Sequence, residues 1–545
     1  MSAPSDAILT LEGLGVQLPS GADRPYALSD VSLAIAANEI LCVVGESGSG
    51  KSIMANAIMR LLPSGVSISA GRVMFEGRDL AMATTAEMRS VRGAGIAMIF
   101  QEPMTALNPL RTIGDQIGEM FSIHTDLSNA AIRAKVHTLL EDVRIPDPKG
   151  AARAYPHELS GGQRQRAMIA MALALDPRVL IADEPTTALD VTTQAQILTL
   201  IRDLQKRKKT AVLFITHDFG VVAEIADRVA VMQQGSVVEQ GDATSILNDP
   251  QHPYTRQLIA AVPPLTSPPP RKLSDDVILT IDNVSKTYRT GGFLGRGTRV
   301  TPAVKDVSLK LPRGATLGIV GESGSGKSTL ARCIVRLIDP DRGSIVLEGK
   351  DWAKMTREDV RRETRHIQMV FQDPFASLNP RRKAGDLVAQ GPIVHGTPPA
   401  KAIADAKELF ALVGLDPSAI DRFPHEFSGG QRQRIGLARA LAPRPEVLVA
   451  DEAVSALDVS VQAQVLKLLA GLRQRLGLSI VFITHDLRVA AQICDLVAVM
   501  KDGEVVEQGL AGDVFGRPQH PYTRALLDSI PGGDFARRRD DKLLA

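Results

Sequence analysis

At 545 residues the chain is too long for one hydrophobic core and is expected to divide into domains. Lysine and arginine total 63 against 61 for aspartate and glutamate, a near-neutral balance that gives no global pull toward nucleic acid or an anionic membrane surface. No apolar run approaches the roughly 18 residues of a spanning helix, and Met1 to Asp6 lacks the charged start of a secretion signal, so a cytosolic chain is expected. The cysteines, Cys42, Cys333 and Cys494, lie apart in apolar patterns without metal-ligand spacing and are expected to be buried small hydrophobes.

The β-rich start leads to an apolar strand, Ile40–Val44, followed by Gly45-Glu-Ser-Gly-Ser-Gly-Lys51-Ser52 and a helix expected from Ser52 through Leu62. A G-x-x-x-x-G-K-[ST] loop between strand and helix cradles phosphates. Gly45, Gly48 and Gly50, with Ser47 between them, let backbone N–H groups turn toward an anion, and the helix N-terminus adds its positive dipole end. Lys51 is assigned to the terminal phosphates and Ser52 to Mg²⁺, with Ile53 next in the loop's wake.

Further along, Val179-Leu-Ile-Ala182 and Val212-Leu-Phe-Ile215 read as buried parallel strands, and Ala195 to Gln205 has helical spacing of apolar residues. The first strand runs into Asp183-Glu184. Adjacent carboxylates on an extended end point in different directions, so Asp183 suits the Mg²⁺ contact and Glu184 suits polarising the attacking water. The basic runs Lys206-Arg-Lys-Lys209 and Arg537-Arg-Arg539 read as solvated surface rather than nucleic-acid contacts.

The chain then repeats itself. Gly321, Ser323, Gly324, Gly326, Lys327 and Ser328 stand where the first loop has its counterparts, and Leu159-Ser-Gly-Gly-Gln-Arg-Gln-Arg166 returns as Phe427-Ser-Gly-Gly-Gln-Arg-Gln-Arg434. Lys51 and Lys327 are 276 apart, Gln101 and Gln372 are 271 apart, while Ser160/Ser428, Glu184/Glu452 and His217/His485 are all 268 apart. Length changes therefore fall early in the unit, as in the loop Gly291-Gly-Phe-Leu-Gly-Arg-Gly297, and the later stretch holds a fixed geometry. Asp451 and Glu452 repeat the acidic pair. Between the copies, Pro263-Pro-Leu-Thr-Ser-Pro-Pro-Pro270 predicts an extended spacer. The expected layout is a domain over 1–262, a linker over 263–276, a second domain over 277–531 and a polar tail over 532–545. Each domain is expected to be α/β, a P-loop fold with a mostly parallel sheet, a β-rich subdomain and a helical subdomain.

The combination of glycine loop, Leu159-Ser-Gly-Gly-Gln163, Asp-Glu and downstream histidine resembles the ATP-binding-cassette ATPases, over almost the whole chain. In that family the signature caps the γ-phosphate of ATP held by the opposite domain. The resemblance implies two composite sites, one joining Lys51, Ser52, Gln101, Asp183, Glu184 and His217 to Ser428 and Gly430, the other joining Lys327, Ser328, Gln372, Asp451, Glu452 and His485 to Ser160 and Gly162, with Gly161, Gln163, Gly429 and Gln431 of the two signatures also expected to bind ATP. It further implies that Gln101 and Gln372 reach Mg²⁺ and water, that His217 and His485 sense the γ-phosphate, and that Asp190 and Asp458 pass information between sites. A helix start and a pair of glycines suit close approach to an anion.

Gln101-Glu-Pro-Met-Thr-Ala-Leu-Asn-Pro109, Gln372-Asp-Pro-Phe-Ala-Ser-Leu-Asn-Pro380 and the endings His252-Pro-Tyr-Thr255 and His520-Pro-Tyr-Thr523 resemble the peptide and nickel importer branch, in particular fused double ATPases of oligopeptide and microcin C type. That implies ATP and Mg²⁺ as cofactors and import of peptides or peptide-like compounds. The implied partners are two membrane permease subunits and an extracytoplasmic solute-binding protein, at the cytoplasmic face of a bacterial inner membrane, without nucleic acid. Nickel complexes and opines are alternative cargoes. A soluble tandem ATPase acting on ribosomes or DNA is the alternative class, though the linker is short and proline-rich and zinc-type cysteine insertions are absent. No cysteine cluster follows Tyr254 or Tyr522, so no iron–sulfur centre is expected.

The copies differ at the nucleotide. Ile53 stands where the second copy has Thr329, and Leu18 stands opposite Tyr288, where the family stacks a ring on adenine. Tyr26 is an alternative source of that ring. An aromatic stack contributes about 1–3 kcal/mol per base, so the first site is expected to bind ATP more weakly than the second. Equilibrium ATP binding by variants disabled at one site each checks this, and an equal or tighter first site refutes it.

Overall fold

The computed structural model describes residues 7–22, 24–187, 189–290, 299–373, 377–455, 457–533 and 535. Among them the chain falls into two compact units, the first carrying most of residues 7–262 and the second most of 263–530. The strands of the first unit are β1 (Ala7–Gln17), β2 (Tyr26–Ala36), β3 (Ile40–Val44), β4 (Ser67–Phe75), β5 (Arg78–Asp79), β6 (Ile96–Ile99), β7 (Val179–Asp183), β8 (Ala211–Thr216), β9 (Arg228–Gln233) and β10 (Ser236–Asp242). Those of the second are β11 (Val277–Thr290), β12 (Arg299–Pro312), β13 (Thr316–Val320), β14 (Arg342–Leu347), β15 (Lys350–Asp351), β16 (Ile367–Val370), β17 (Val447–Asp451), β18 (Ser479–Thr484), β19 (Leu496–Lys501) and β20 (Glu504–Leu510).

Each unit holds two sheets. In the first, an antiparallel sheet ordered β2-β1-β4-β5 stands beside a sheet ordered β10-β9-β3-β8-β7-β6, in which only the β10 edge is antiparallel. The second repeats this with β12-β11-β14-β15 and β16-β17-β18-β13-β19-β20. Every residue of β3, β7 and β8 is buried, which is why these strands read as unbroken apolar runs: a parallel strand covered on both faces has no polar side to show. The expected α/β fold, with β-rich and helical subdomains around a mostly parallel core, is the fold observed.

The helix after the first glycine loop runs only over Lys51–Ile58, a turn shorter than its apolar spacing predicts. It ends where Arg60 turns left-handed at φ +50°, with Leu61 N–H donating to the Asn56 carbonyl at 2.7 Å and Arg60 N–H to the Ala57 carbonyl at 3.0 Å. This is the bonding of a Schellman terminus with arginine in the position glycine usually takes. The Arg92 guanidinium closes the end from outside, bonding the Met59 carbonyl at 2.8 and 3.0 Å and the Arg60 carbonyl at 3.0 Å. No local residue type announces that stop.

The helical part of the first unit comprises Ile113–His124, Asn129–Asp142, Pro148–Arg153 and Gly161–Ala172, capped by the side chains of Thr112, Ser128, Asp147 and Ser160. Each cap satisfies one of the N–H groups that a helix start leaves without a partner. The end of the helix Val191–Lys208 carries the first basic run, where Arg207 pairs with Asp142 and Lys208 with Asp176 on the surface. The second basic run, Arg537–Arg539, and the loop Gly291–Gly297 lie outside the described residues. The proline-rich stretch forms neither helix nor strand, and Arg271 immediately after it grips Asp495 at 2.5 and 2.7 Å. All three cysteines are buried and free, and burial pushes each thiol up, Cys333 to about 11.

In the second unit the helices Ala384–Val394, Pro399–Leu412 and Gly429–Leu441 share one core through Leu387, Val388, Phe410 and Ile435. Phe410 is fully buried. Phe410→Ala should destabilise this helical region by about 3–5 kcal/mol. Hydrogen exchange should show the loss of protection concentrated in Ala384–Val394 and Pro399–Leu412.

Candidate active site

The glycine loop leaves the end of β3 under tight constraint. A Cβ on Gly45 would lie 2.2 Å from the Met232 carbonyl oxygen, and one on Gly321 would lie 2.2 Å from that of Met500. Gly50 and Gly326 enter their helices left-handed at φ +105° and +102°, while Ser47, Gly48, Ser323 and Gly324 form the exposed rim. Lys51 Nζ turns back on the loop, donating to the Gly45 carbonyl at 2.7 Å and that of Glu46 at 2.9 Å; Lys327 does the same to Gly321 and Glu322 at 2.8 and 2.7 Å. Burial pulls the Lys327 ammonium down while the Glu452 charge opposes that. A phosphate oxygen offers the same ammonium a charge-assisted bond, stronger than that to a neutral carbonyl.

The carboxylates sit at the ends of β7 and β17. Ser52 Oγ donates to Asp183 at 3.1 Å, and Ser328 Oγ to Asp451 at 3.0 Å. Burial pushes Asp183 up to about 6 against the Ser52 bond, and raises Asp451 for the same reason. One residue on, the backbone turns left-handed, at φ +47° for both Glu184 and Glu452. That conformation costs a non-glycine residue about 1–3 kcal/mol and persists where the surroundings impose it.

Around each glutamate the predicted groups come together. Gln101 Nε2 donates to the Glu184 carboxylate at 3.1 Å and His217 Nδ1 lies 3.3 Å from it; Gln372 and His485 stand at 2.8 and 3.4 Å from Glu452. Burial pushes both glutamates up, but the hydrogen bond and charge of the histidine outweigh it and hold each below the usual carboxylate range. Each histidine is raised in turn by its glutamate, against the pull of burial. An ionised, hydrogen-bonded carboxylate is what accepting a proton from water requires.

Two contacts here were not anticipated. Thr187 Oγ1 donates to the Glu184 carboxylate at 2.9 Å, whereas its counterpart Ser455 donates to the Glu452 backbone carbonyl at 3.0 Å. The retained hydroxyl at a position 268 residues apart was the available signal. Arg24, between β1 and β2, donates to the Gly48 carbonyl at 2.6 Å, and nothing in its local sequence marks it.

The signature serines cap the helices Gly161–Ala172 and Gly429–Leu441, with Gln163 and Gln431 completing reciprocal capping boxes. Space beside Gly161 and Gly429 is open, but a Cβ on Gly162 would lie 2.8 Å from Thr193 and one on Gly430 2.6 Å from Val461. Asp458 caps the helix Val459–Leu476, and Asp190 precedes its counterpart Val191–Lys208.

At the position expected to meet adenine the hairpins keep the same register, Gln17 opposite Tyr26 and Thr287 opposite Pro302, so Leu18 occupies the place of Tyr288. Leu18 and Ile53 both pack partly against the first unit's core. Tyr26 is 46% exposed, and the carbonyl of the next residue, Ala27, approaches Gly50.

The ABC transporter family matches residues 28–187 and 304–455, and the oligopeptide/dipeptide transporter C-terminal region matches 238–283 and 506–544. The chain belongs to the ABC transporter ATP-binding family. It is 45% identical to the glutathione import ATP-binding protein GsiA of Escherichia coli strain K12, over 98% of this chain and 92% of that one. The GsiA of Shigella boydii serotype 4 strain Sb227 matches equally, at 45% over the same shares. A dimeric, post-hydrolysis structure of the ATP-binding cassette MJ0796 with ADP and phosphate is 30% identical, covering 43% of this chain and 98% of that chain, with a TM-score of 0.39. The protein is an ATP-hydrolysing subunit of an importer of the peptide type, and such a subunit works with membrane permeases. No helix among the described residues is long and apolar enough to cross a membrane.

Glu184→Gln and Glu452→Gln keep the shape of the site but replace an ionised carboxylate with a neutral amide. Each should sharply lower steady-state ATP turnover, and the double variant should fall about 10²- to 10⁴-fold. Phosphate release by the purified variants reads this directly; a single variant at the wild-type rate would remove that glutamate from catalysis.

Proposed function

We propose that the protein energises import of small peptides or peptide-like compounds through two permease subunits, hydrolysing ATP at two composite sites. In each site the phosphate loop, acidic pair, glutamine and histidine of one unit work with the Ser-Gly-Gly-Gln signature of the other. The observation that carries this reading is the duplication of the whole apparatus: Ser52–Asp183 and Ser328–Asp451, Gln101–Glu184–His217 and Gln372–Glu452–His485. A degraded copy would serve binding alone; neither copy lacks a charged position.

Ser52, Asp183 and Gln101, with Ser328, Asp451 and Gln372 in the other unit, offer oxygen donors of the kind a hard cation takes, and they fit Mg²⁺. Bound there, Mg²⁺ neutralises charge on the phosphate oxygens. The protein's own residues do the rest. Lys51 and Lys327 exchange loop carbonyls for phosphate oxygens, Glu184 and Glu452 orient and deprotonate water, and His217 and His485 hold those carboxylates ionised. The signature serines and the N–H groups of Gly162 and Gly430 approach the γ-phosphate from the opposite unit, and Asp190 and Asp458 connect the two sites.

The relatives' glutathione import points to a short peptide as cargo, delivered by a solute-binding protein to permeases with this subunit at the cytoplasmic face of the inner membrane. Co-purification of the full-length chain with its permeases, followed by reconstitution in vesicles, should give ATP-dependent uptake of labelled tripeptide that the Glu184→Gln, Glu452→Gln variant abolishes. Stable association with ribosomes in place of permeases would overturn the import role.

A further inference from the structure

We propose that the tyrosine of each His-Pro-Tyr-Thr tail, Tyr254 and Tyr522, is a positioning residue for the phosphate-binding lysine, acting through one peptide unit of the glycine loop. The helices Pro253–Ala261 and Pro521–Asp528 do not need these hydroxyls to start. His252 Nδ1 accepts the Tyr254 N–H at 3.2 Å, Pro253 supplies the first turn, and Glu239 accepts the N–H groups of Gln251 and His252 at 2.7 and 3.2 Å. In the second unit His520 Nδ1 accepts the Tyr522 N–H at 3.2 Å, Pro521 supplies the first turn, and Glu507 accepts the N–H groups of Gln519 and His520 at 2.7 and 3.1 Å. The helix start is thus complete without the tyrosine side chain.

The hydroxyls go elsewhere. Tyr254 Oη accepts the Glu46 N–H at 3.2 Å, and Tyr522 Oη accepts the Glu322 N–H at 3.2 Å. The peptide that carries the Glu46 N–H also carries the Gly45 carbonyl, which accepts Lys51 Nζ at 2.7 Å; in the second unit the Gly321 carbonyl accepts Lys327 Nζ at 2.8 Å. A peptide unit is planar and its N–H and C=O point opposite ways. The tail tyrosine and the lysine therefore hold the two ends of one rigid plate. The Met232 and Met500 carbonyls crowd its glycine side, leaving it little room to turn.

When phosphate draws the ammonium away, the carbonyl end loses its partner. The tyrosine keeps the N–H end fixed, so the loop stays in its cradle shape instead of following the lysine or flipping, and less ordering remains for ATP to impose. The same contact in two units whose spacers and early loops differ in length shows that it belongs to the motif rather than to one local packing accident.

The inference rests on the assignment of Lys51 and Lys327 to phosphate. Tyr254→Phe and Tyr522→Phe remove only the hydroxyl. Losing the hydroxyl's bond to the loop N–H, together at Tyr522 with its bond to the Glu322 carboxylate, should raise the KM for ATP about two- to tenfold, with kcat within about twofold, because the groups around Glu184 and Glu452 are untouched. Thr255→Val and Thr523→Val, in the next buried position of each helix, serve as packing controls and should leave KM at the wild-type value. All are measured on the full-length chain, with thermal unfolding alongside. A wild-type KM in both tyrosine variants overturns the proposal, as does an equal rise in the threonine variants, which would assign the effect to helix packing. Unaltered ATP affinity in Lys51→Ala, Lys327→Ala would bring down the phosphate assignment and this proposal with it. Lost affinity there beside wild-type KM in the tyrosine variants would bring down the proposal alone.

Discussion

Parallel pairing of three neighbouring strands is the constraint from which the site follows. β3, β8 and β7 run side by side in one direction, with Val44 beside Thr216 and Asp183 beside Ile215. Their carboxyl ends therefore lie in one row, and each delivers a different function within a residue or two: the glycine loop after β3, the acidic pair closing β7, His217 after β8. β13, β18 and β17 do the same in the second unit, with Val320 beside Thr484 and Asp451 beside Ile483. Open parallel sheets bind ligands at this edge because the strands end there together and the following turns can face one ligand. A register slip of one residue would turn the Asp183 side chain to the other face of the sheet.

Charge then divides the acidic pair into two kinds. Asp183 and Glu184 are adjacent and both largely buried, yet burial drives the aspartate up to about 6 while the histidine holds the glutamate down. The left-handed turn at Glu184 produces that split, because it takes the second carboxylate off the strand line and toward Gln101, Thr187 and His217. Strain at one residue is thus exchanged for an environment that an extended backbone could not give it. The aspartate, left beside a serine hydroxyl, is a group whose ionised form a cation would favour.

Much of this was legible because phosphate and proton chemistry demand particular residue types at fixed spacing. The buried strands could be read from their apolar runs, the glycine loop from its motif between strand and helix, and the Asp-Glu pair from its place at a strand end, while duplication removed the ambiguity of any single occurrence. What stayed hidden depends on backbone atoms or distant partners. The helix stop at Arg60 uses a left-handed arginine and the Arg92 guanidinium, neither of which carries a glycine or proline signal. Arg24 meets a carbonyl, which every residue has. Tyr254 was visible within its motif, but its partner is a main-chain N–H 208 residues earlier, and no side chain records that pairing.

Two copies in one chain also separate what catalysis requires from what it tolerates. The Ser–Asp contact, the Gln–Glu–His cluster and the lysine folded onto its loop are the same in both units to within a few tenths of an ångström. The positions expected to meet the rest of the nucleotide are not. Ile53 stands where the second unit has Thr329, Leu18 where it has Tyr288, and the first unit has an Arg24 bond to its loop where the second has Val300 at the matching position. The groups assigned to the reacting phosphate are the ones kept, as expected if each must supply a charge or proton at a fixed point. The positions assigned to the base would supply only contact area, and area can be rebuilt from other residues or partly given up. Divergence between the copies has followed that line.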